Sequence, residues 1–186
     1  MRIGKQWLDQ LHFRALNKQL TKQSFKRTPV EYQKAREIGV LVDTRHPQNV
    51  DVVKKFVETQ RSSNRSVKVL AYFNDKLEHP NFPYSYFSRK EVNLISKPSG
   101  QTVEQFINQP FDILFNLCQN ENMMLNYIAA LSKAHMRVGS FQENENANHY
   151  DLMIDMPKGK GINYFIQQAE QILENIKSDQ YEASKV

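Results

Sequence analysis

Cysteine occurs once in the 186 residues, as Cys118. A single thiol cannot close a disulfide within the chain. The core must hold the fold unaided, and a reducing, cytoplasmic location is the expectation. Glycine is also scarce, at six residues, and phosphate-binding loops need it because the backbone must come close to the anion. The first apolar run, Glu37–Asp43 (EIGVLVD), is followed by TRHPQNV without a glycine, which excludes the dinucleotide fingerprint. The glycine-rich loop that cradles nucleotide phosphates is missing as well, as is a serine between glycines at G-x-S-x-G spacing. No Cys-x-x-Cys or His-x-x-x-His pair offers a zinc site, so neither a cofactor nor a metal is expected. No apolar run nears the ~18 residues of a membrane span, and no apolar stretch follows the first cations as it would in a secretory signal.

What is present reads as globular: 40% apolar and 24% charged residues. The net charge of +5 is unevenly placed. Residues 1–36 hold nine Lys and Arg against Asp9 and Glu31, a balance of +7, which leaves −2 for the remaining 150. The chain therefore divides into a basic helical N-terminal extension (1–36), an α/β domain (37–177) and a polar tail (178–186). Such asymmetry fits contact with nucleic acid or an anionic protein assembly. It equally fits a solvated helix that binds nothing.

Residues 4–25 are rich in Gln, Lys, Leu and Ala and predict a helix. Trp7, Leu8, Leu11 and Ala15 share one face, while Phe13, Leu16 and Leu20 lie on another. Thr28-Pro29 marks a boundary. EIGVLVD predicts a buried strand, Pro47–Arg61 a helix and Val67–Phe73 a second strand, which together make a right-handed βαβ unit. Three prolines then interrupt residues 74–100, where Tyr84–Phe87 and Val92–Ser96 read as short extended pieces. Further on come a strand at Asp112–Cys118, a helix at 122–134 and strands at 136–141 and 150–155. The last helix carries Ile162, Phe165, Ile166, Ala169, Ile172, Leu173 and Ile176 on one face. The expected fold is a three-layer, Rossmann-like, mostly parallel sheet with helices on both faces, preceded by the basic helix.

In such a sheet ligands bind beyond the carboxyl ends of the strands. The candidates there are Asp43, Arg45, His46, Asn74, Asn116, Cys118 and Asn120. Cys118 with His46 has the composition of a nucleophile and its base, although a lone cysteine at a strand end is more commonly a small core residue. Asp43 has the chemistry of a phosphoacceptor or ribose ligand, or of a simple cap. His135 reads as structural. In the basic segment the candidate anion or nucleic-acid contacts are Lys5, Arg14, Lys18, Lys22, Lys26 and Arg27. Asn81–Lys90 (NFPYSYFSRK) interleaves aromatics with cations, as single-strand binders do. Alternating aromatics also suit a half-buried edge strand, and that is the preferred reading.

The second half carries PFDILFNLCQNENMMLNYIAALSKAHMRVGSF and then YDLMIDM. With EIGVLVD, this string resembles an uncharacterised bacterial domain-of-unknown-function family across residues 39–176. The resemblance rests on Phe111-Asp112, on the run Ala129–Ala134 and on Arg137-Val138-Gly139. It implies a Rossmann-like layout and assigns no activity. Residues 111–141 are also locally similar to the N-terminal half of heptosyltransferase-type glycosyltransferases. Those enzymes use a second nucleotide-sugar domain, for which 186 residues leave no room.

The leading expectation is a non-enzymatic binding or adaptor protein that contacts RNA or an RNA–protein assembly through its basic helix. The alternative is a small enzyme or ligand sensor using the strand-end crevice. A membrane-surface role for the first helix ranks third, since its apolar residues do not form one stripe.

Overall fold

The computed structural model describes residues 2–28, 30–45, 47–118 and 120–176. The expected features at Pro29, His46 and the tail 178–186 lie outside them. The elements in chain order are α1 (Arg2–Leu20), β1 (Glu37–Asp43), α2 (Pro47–Ser62), β2 (Ser66–Phe73), β3 (Ser85–Ser88), α3 (Gln101–Asn108), β4 (Ile113–Asn116), α4 (Met123–Leu131), β5 (Met136–Ser140), β6 (Leu152–Ile154) and α5 (Ile162–Asn175). The six strands form one sheet in the order β3-β2-β1-β4-β5-β6, with every pairing parallel.

Buried on both faces, β1 and β4 read as continuous apolar runs instead of alternating ones. One face packs Val53, Phe56 and Val57 of α2 and Phe165, Ala169 and Leu173 of α5 against Ile38, Val40, Ile113 and Phe115. The other packs Val103 and Phe106 of α3 and Leu125 and Ile128 of α4 against Leu41, Leu70 and Leu114. Register is pinned from outside the ladders. The Asp112 carboxylate accepts the N–H groups of Arg36 (2.6 Å) and Glu37 (2.9 Å), which ties the start of β1 to β4. Arg137 in β5 grips Asp151 before β6 with two side-chain bonds of 2.9 and 3.0 Å, a fork geometry that fixes direction as well as distance.

α1 forms a fourth layer on the outer side of α4. Leu16 is buried with Tyr127, Ala130 and Leu131, and Leu20 packs alongside. His12 is also buried, its Nδ1 2.9 Å from the Ile95 carbonyl. Burial holds the His12 pKa below its ordinary value, so at neutral pH the ring donates that bond uncharged. The residues after α1 then close the end of α4. A helix C-terminus leaves its last carbonyls without partners inside the helix. Here Gln23 donates to the Leu131 carbonyl at 2.6 Å and Arg27 to that of Ser132 at 2.9 Å. His135 is structural: its Nδ1 accepts from the Thr28 N–H.

Three local expectations change. The first helix ends at Leu20, not residue 25, and Trp7, placed on an apolar face by sequence, is 60% exposed. Val92–Ser96 is not a strand, because Val92 makes one isolated antiparallel bridge to Pro98 after a single 3-10 turn. The sequence predicts no element between 100 and 111, where α3 lies. It is eight residues long and is preceded by Gly100 at its N-cap, whose φ of 103° no side chain adopts readily. The aromatics of 81–90 cover the sheet edge: Phe82 and Tyr86 pack edge-on against Phe73, which stacks on His79.

Candidate functional site

The strand order reverses direction between β1 and β4, the position where open α/β sheets bind ligands. Asp43 ends β1 there, 3% exposed. Its carboxylate accepts from the Arg45 N–H (3.0 Å), from Arg45 Nε (2.7 Å) and from Asn122 Nδ2 (2.7 Å), while Arg45 also pairs with it through Nη2 at 2.5 Å. Burial alone would raise the Asp43 pKa, but the bonds from Arg45 and Asn122 outweigh it and hold the carboxyl below its usual value. Asn122 also caps α4, its Oδ1 accepting from the N–H groups of Met124 and Leu125. One amide therefore fastens the end of β1 to the start of α4.

Cys118 lies beside this group, with its sulfur 3.0 Å from the Asn120 carbonyl and 3.8 Å from Asp43. Burial, reinforced by the Asp43 carboxylate, pushes its thiol up to about 12. A thiol that stays protonated at neutral pH is a poor nucleophile. Asn116 belongs to a separate buried cluster under α4: its Nδ2 donates to the Tyr150 hydroxyl at 2.6 Å, which donates to Asn126 Oδ1 at 2.7 Å. Asn74 is exposed and accepts from the Tyr72 hydroxyl, and Asn120 is exposed. Of the predicted crevice residues, Asp43, Arg45 and Cys118 come together, and His46 lies outside the described residues.

Asn122, Asn126 and Tyr150 escaped the sequence reading. For Asn122 the signal was there, an Asn directly before an apolar helical run. For Tyr150 there was none, since its partner Asn116 is 34 residues away. The closed network leads to an expected result. Cys118 reacts with a thiol-specific disulfide reagent at least ~100-fold more slowly in the native protein than in denaturant. Native-state labelling at the denatured rate would show the crevice to be open.

The cationic candidates separate by burial. Lys5, Arg14, Lys18, Lys22 and Lys26 are exposed, whereas Arg27 is half-buried at the end of α4. At 100° per residue, Trp7, Gln10, Arg14 and Lys18 fall on one outward stripe, with Lys22 in the turn that closes the helix. His12 and Leu16 occupy the opposite, docked side. The one acid of α1, Asp9, is half-buried and off the stripe.

Fold and sites together define a Rossmann-like α/β protein with a buried carboxylate, amide and thiol at the strand ends and an outward cationic helix face. The family model of a family of unknown function (DUF6913) matches residues 9–176, and the chain belongs to that family. The match begins within α1, at residue 9, and takes in the helix from there to Leu20. No curated protein matches the sequence, and the glycosyltransferase likeness of residues 111–141 gains no support. Among the described residues no helix is long and apolar enough to cross a membrane, and no group of His, Cys, Asp or Glu could hold a metal ion.

Proposed function

We propose that this protein is a cytoplasmic binding protein that holds single-stranded RNA on the outer face of α1. The observation that carries the reading is the stripe itself: Trp7, 60% exposed, followed by Arg14, Lys18 and Lys22 with no carboxylate among them. An exposed indole offers a stacking platform for a base, worth about 1–3 kcal/mol. The cations beyond it supply the phosphate contacts, and Trp7 and Lys18 are about 16 Å apart along the helix, a length of several nucleotides. The docked side of α1 holds this face outward and fixes its geometry before any ligand arrives.

A titration of a labelled oligouridine at several salt concentrations tests the reading. With the three phosphate contacts of Arg14, Lys18 and Lys22, the log–log salt dependence of affinity is expected to have a slope of about −2. Lys18→Glu with Lys22→Glu, both on exposed side chains, weakens binding about 100-fold or more at low salt, and Trp7→Ala weakens it about tenfold. Base composition has little effect, because phosphate contacts carry no base information. No binding at low salt, or equal affinity in the double variant, rejects the proposal. Binding of an acidic polypeptide in place of RNA would reassign the face to a protein partner.

A further inference from the structure

The sheet contains a gap in its pairing. β3 begins late, with Ser85 beside Leu70, so no strand flanks Val67–Val69 on the outer side of β2. Successive residues of a parallel strand turn their N–H and C=O groups to opposite edges. Ser66 donates to the Arg36 carbonyl, and the Tyr72 carbonyl accepts from Thr44, both on the β1 side. Even-numbered residues of β2 therefore address β1, and odd-numbered residues address the outer edge. The N–H and C=O of Val67 and the N–H of Val69 point outward where β3 has not begun, and none of the three has a hydrogen-bond partner among the described residues. Pro83, two residues before β3, cannot donate to a ladder, so the chain approaches without pairing there.

A cavity of about 640 Å³ lies against this bare edge. Pro83 and Tyr84 wall one side, and Thr102, Gln105 and Phe106 of α3 the other. Lys68 is part of the lining, with Nζ 2.7 Å from Gln109 Oε1, and no carboxylate residue lines the space. Two outward donors and one acceptor at strand spacing match a peptide backbone, and the lone cation selects the charge of what lies beside it.

We propose that this cavity takes an extended acidic peptide segment, which adds to the outer edge of β2 as a short strand. Its amides pair with Val67 and Val69. Because side chains alternate along a strand, every second residue falls on the Lys68 face, where an acid replaces Gln109 as the partner of that amine. The site is independent of the α1 face and stands or falls separately from RNA binding.

The test uses the full chain labelled with ¹⁵N and a capped hexapeptide of alternating valine and glutamate. In the free protein the Val67 and Val69 amides exchange with solvent at least ~100-fold faster than those of Lys68 and Leu70, which are bonded to β1. Peptide at about 1 mM shifts and protects the two valine amides. Lys68→Glu, a change at an exposed side chain, weakens the peptide at least about tenfold, and a lysine-for-glutamate peptide then binds that variant. The same peptide N-methylated on its pairing edge does not bind. Slow exchange of Val67 or Val69 in the free protein, no shift with peptide, or equal binding of the N-methylated form overturns the proposal. Unchanged affinity in Lys68→Glu overturns its acidic preference.

Discussion

Leu173→Asp is expected to unfold the protein at temperatures where the parent is intact. Leu173 is 2% exposed, on the face of α5 that packs with Phe165 and Ala169 against the sheet and α2. An aspartate there loses the leucine's burial and places a carboxylate among apolar neighbours. The two effects together cost on the order of 4 kcal/mol, close to the whole stability of a marginal domain. No local rearrangement relieves the charge, because α5 is held at a second point. Glu170, one turn away, accepts from the Tyr32 hydroxyl at 2.7 Å and from Gln60 at 2.8 Å, which joins α5 to the segment before β1 and to α2. Ile166→Asp, 8% exposed on the same face, gives a similar loss. A thermal melt of either variant that overlays the parent would place α5 off the sheet.

Gly139→Ala is the second large effect, and it comes from one added methyl group. A Cβ at Gly139 would stand 2.5 Å from two atoms of the Tyr150 ring, well inside van der Waals contact. The ring has nowhere to go. Its hydroxyl is bonded to Asn116 and Asn126, and it fills the core beneath α4. Displacing it adds broken buried hydrogen bonds to the overpacking, for about 2–4 kcal/mol in all. Tyr150→Phe alone keeps the packing and leaves Asn116 and Asn126 short of a partner, so it costs less, about 1–2 kcal/mol. The order of the two melting points is the measurement. If Gly139→Ala melts with the parent, Tyr150 does not occupy the space over β5.

Elements with a complete local signature were legible in the sequence. β1, β2 and β4 showed as apolar runs of strand length, and α5 showed a 3.6-residue periodicity whose Ile162, Phe165, Ile166, Ala169 and Leu173 are buried, while Ile172 is exposed and Ile176 follows the helix end. α3 hid behind Pro98-Ser99-Gly100, which reads as loop. Its backbone cap at Gly100 uses no side chain, and its apolar face is only Val103, Phe106 and the partly buried Ile107. Asp43 and Cys118 were placed at the strand ends from chain order alone. That Asp43 is ion-paired with Arg45 and hydrogen-bonded by Asn122 depends on the rotamer of one residue and the capping of a distant helix, neither of which has a periodicity to detect. The outward direction of Trp7 was hidden for a related reason. Leu8, Leu11 and Ala15 beside it suggest an apolar face, and only the docking of Leu16 and His12 on the other side sets the rotation of the helix.

Trp7 is the chain's only tryptophan. An indole already in contact with water emits at long wavelength in the native state, and its environment alters little when the core melts. A base stacked on it would instead quench it. Intrinsic fluorescence excited at the red edge of tyrosine absorption would therefore be nearly silent to unfolding and responsive to ligand at α1, two signals that most single-tryptophan proteins report together.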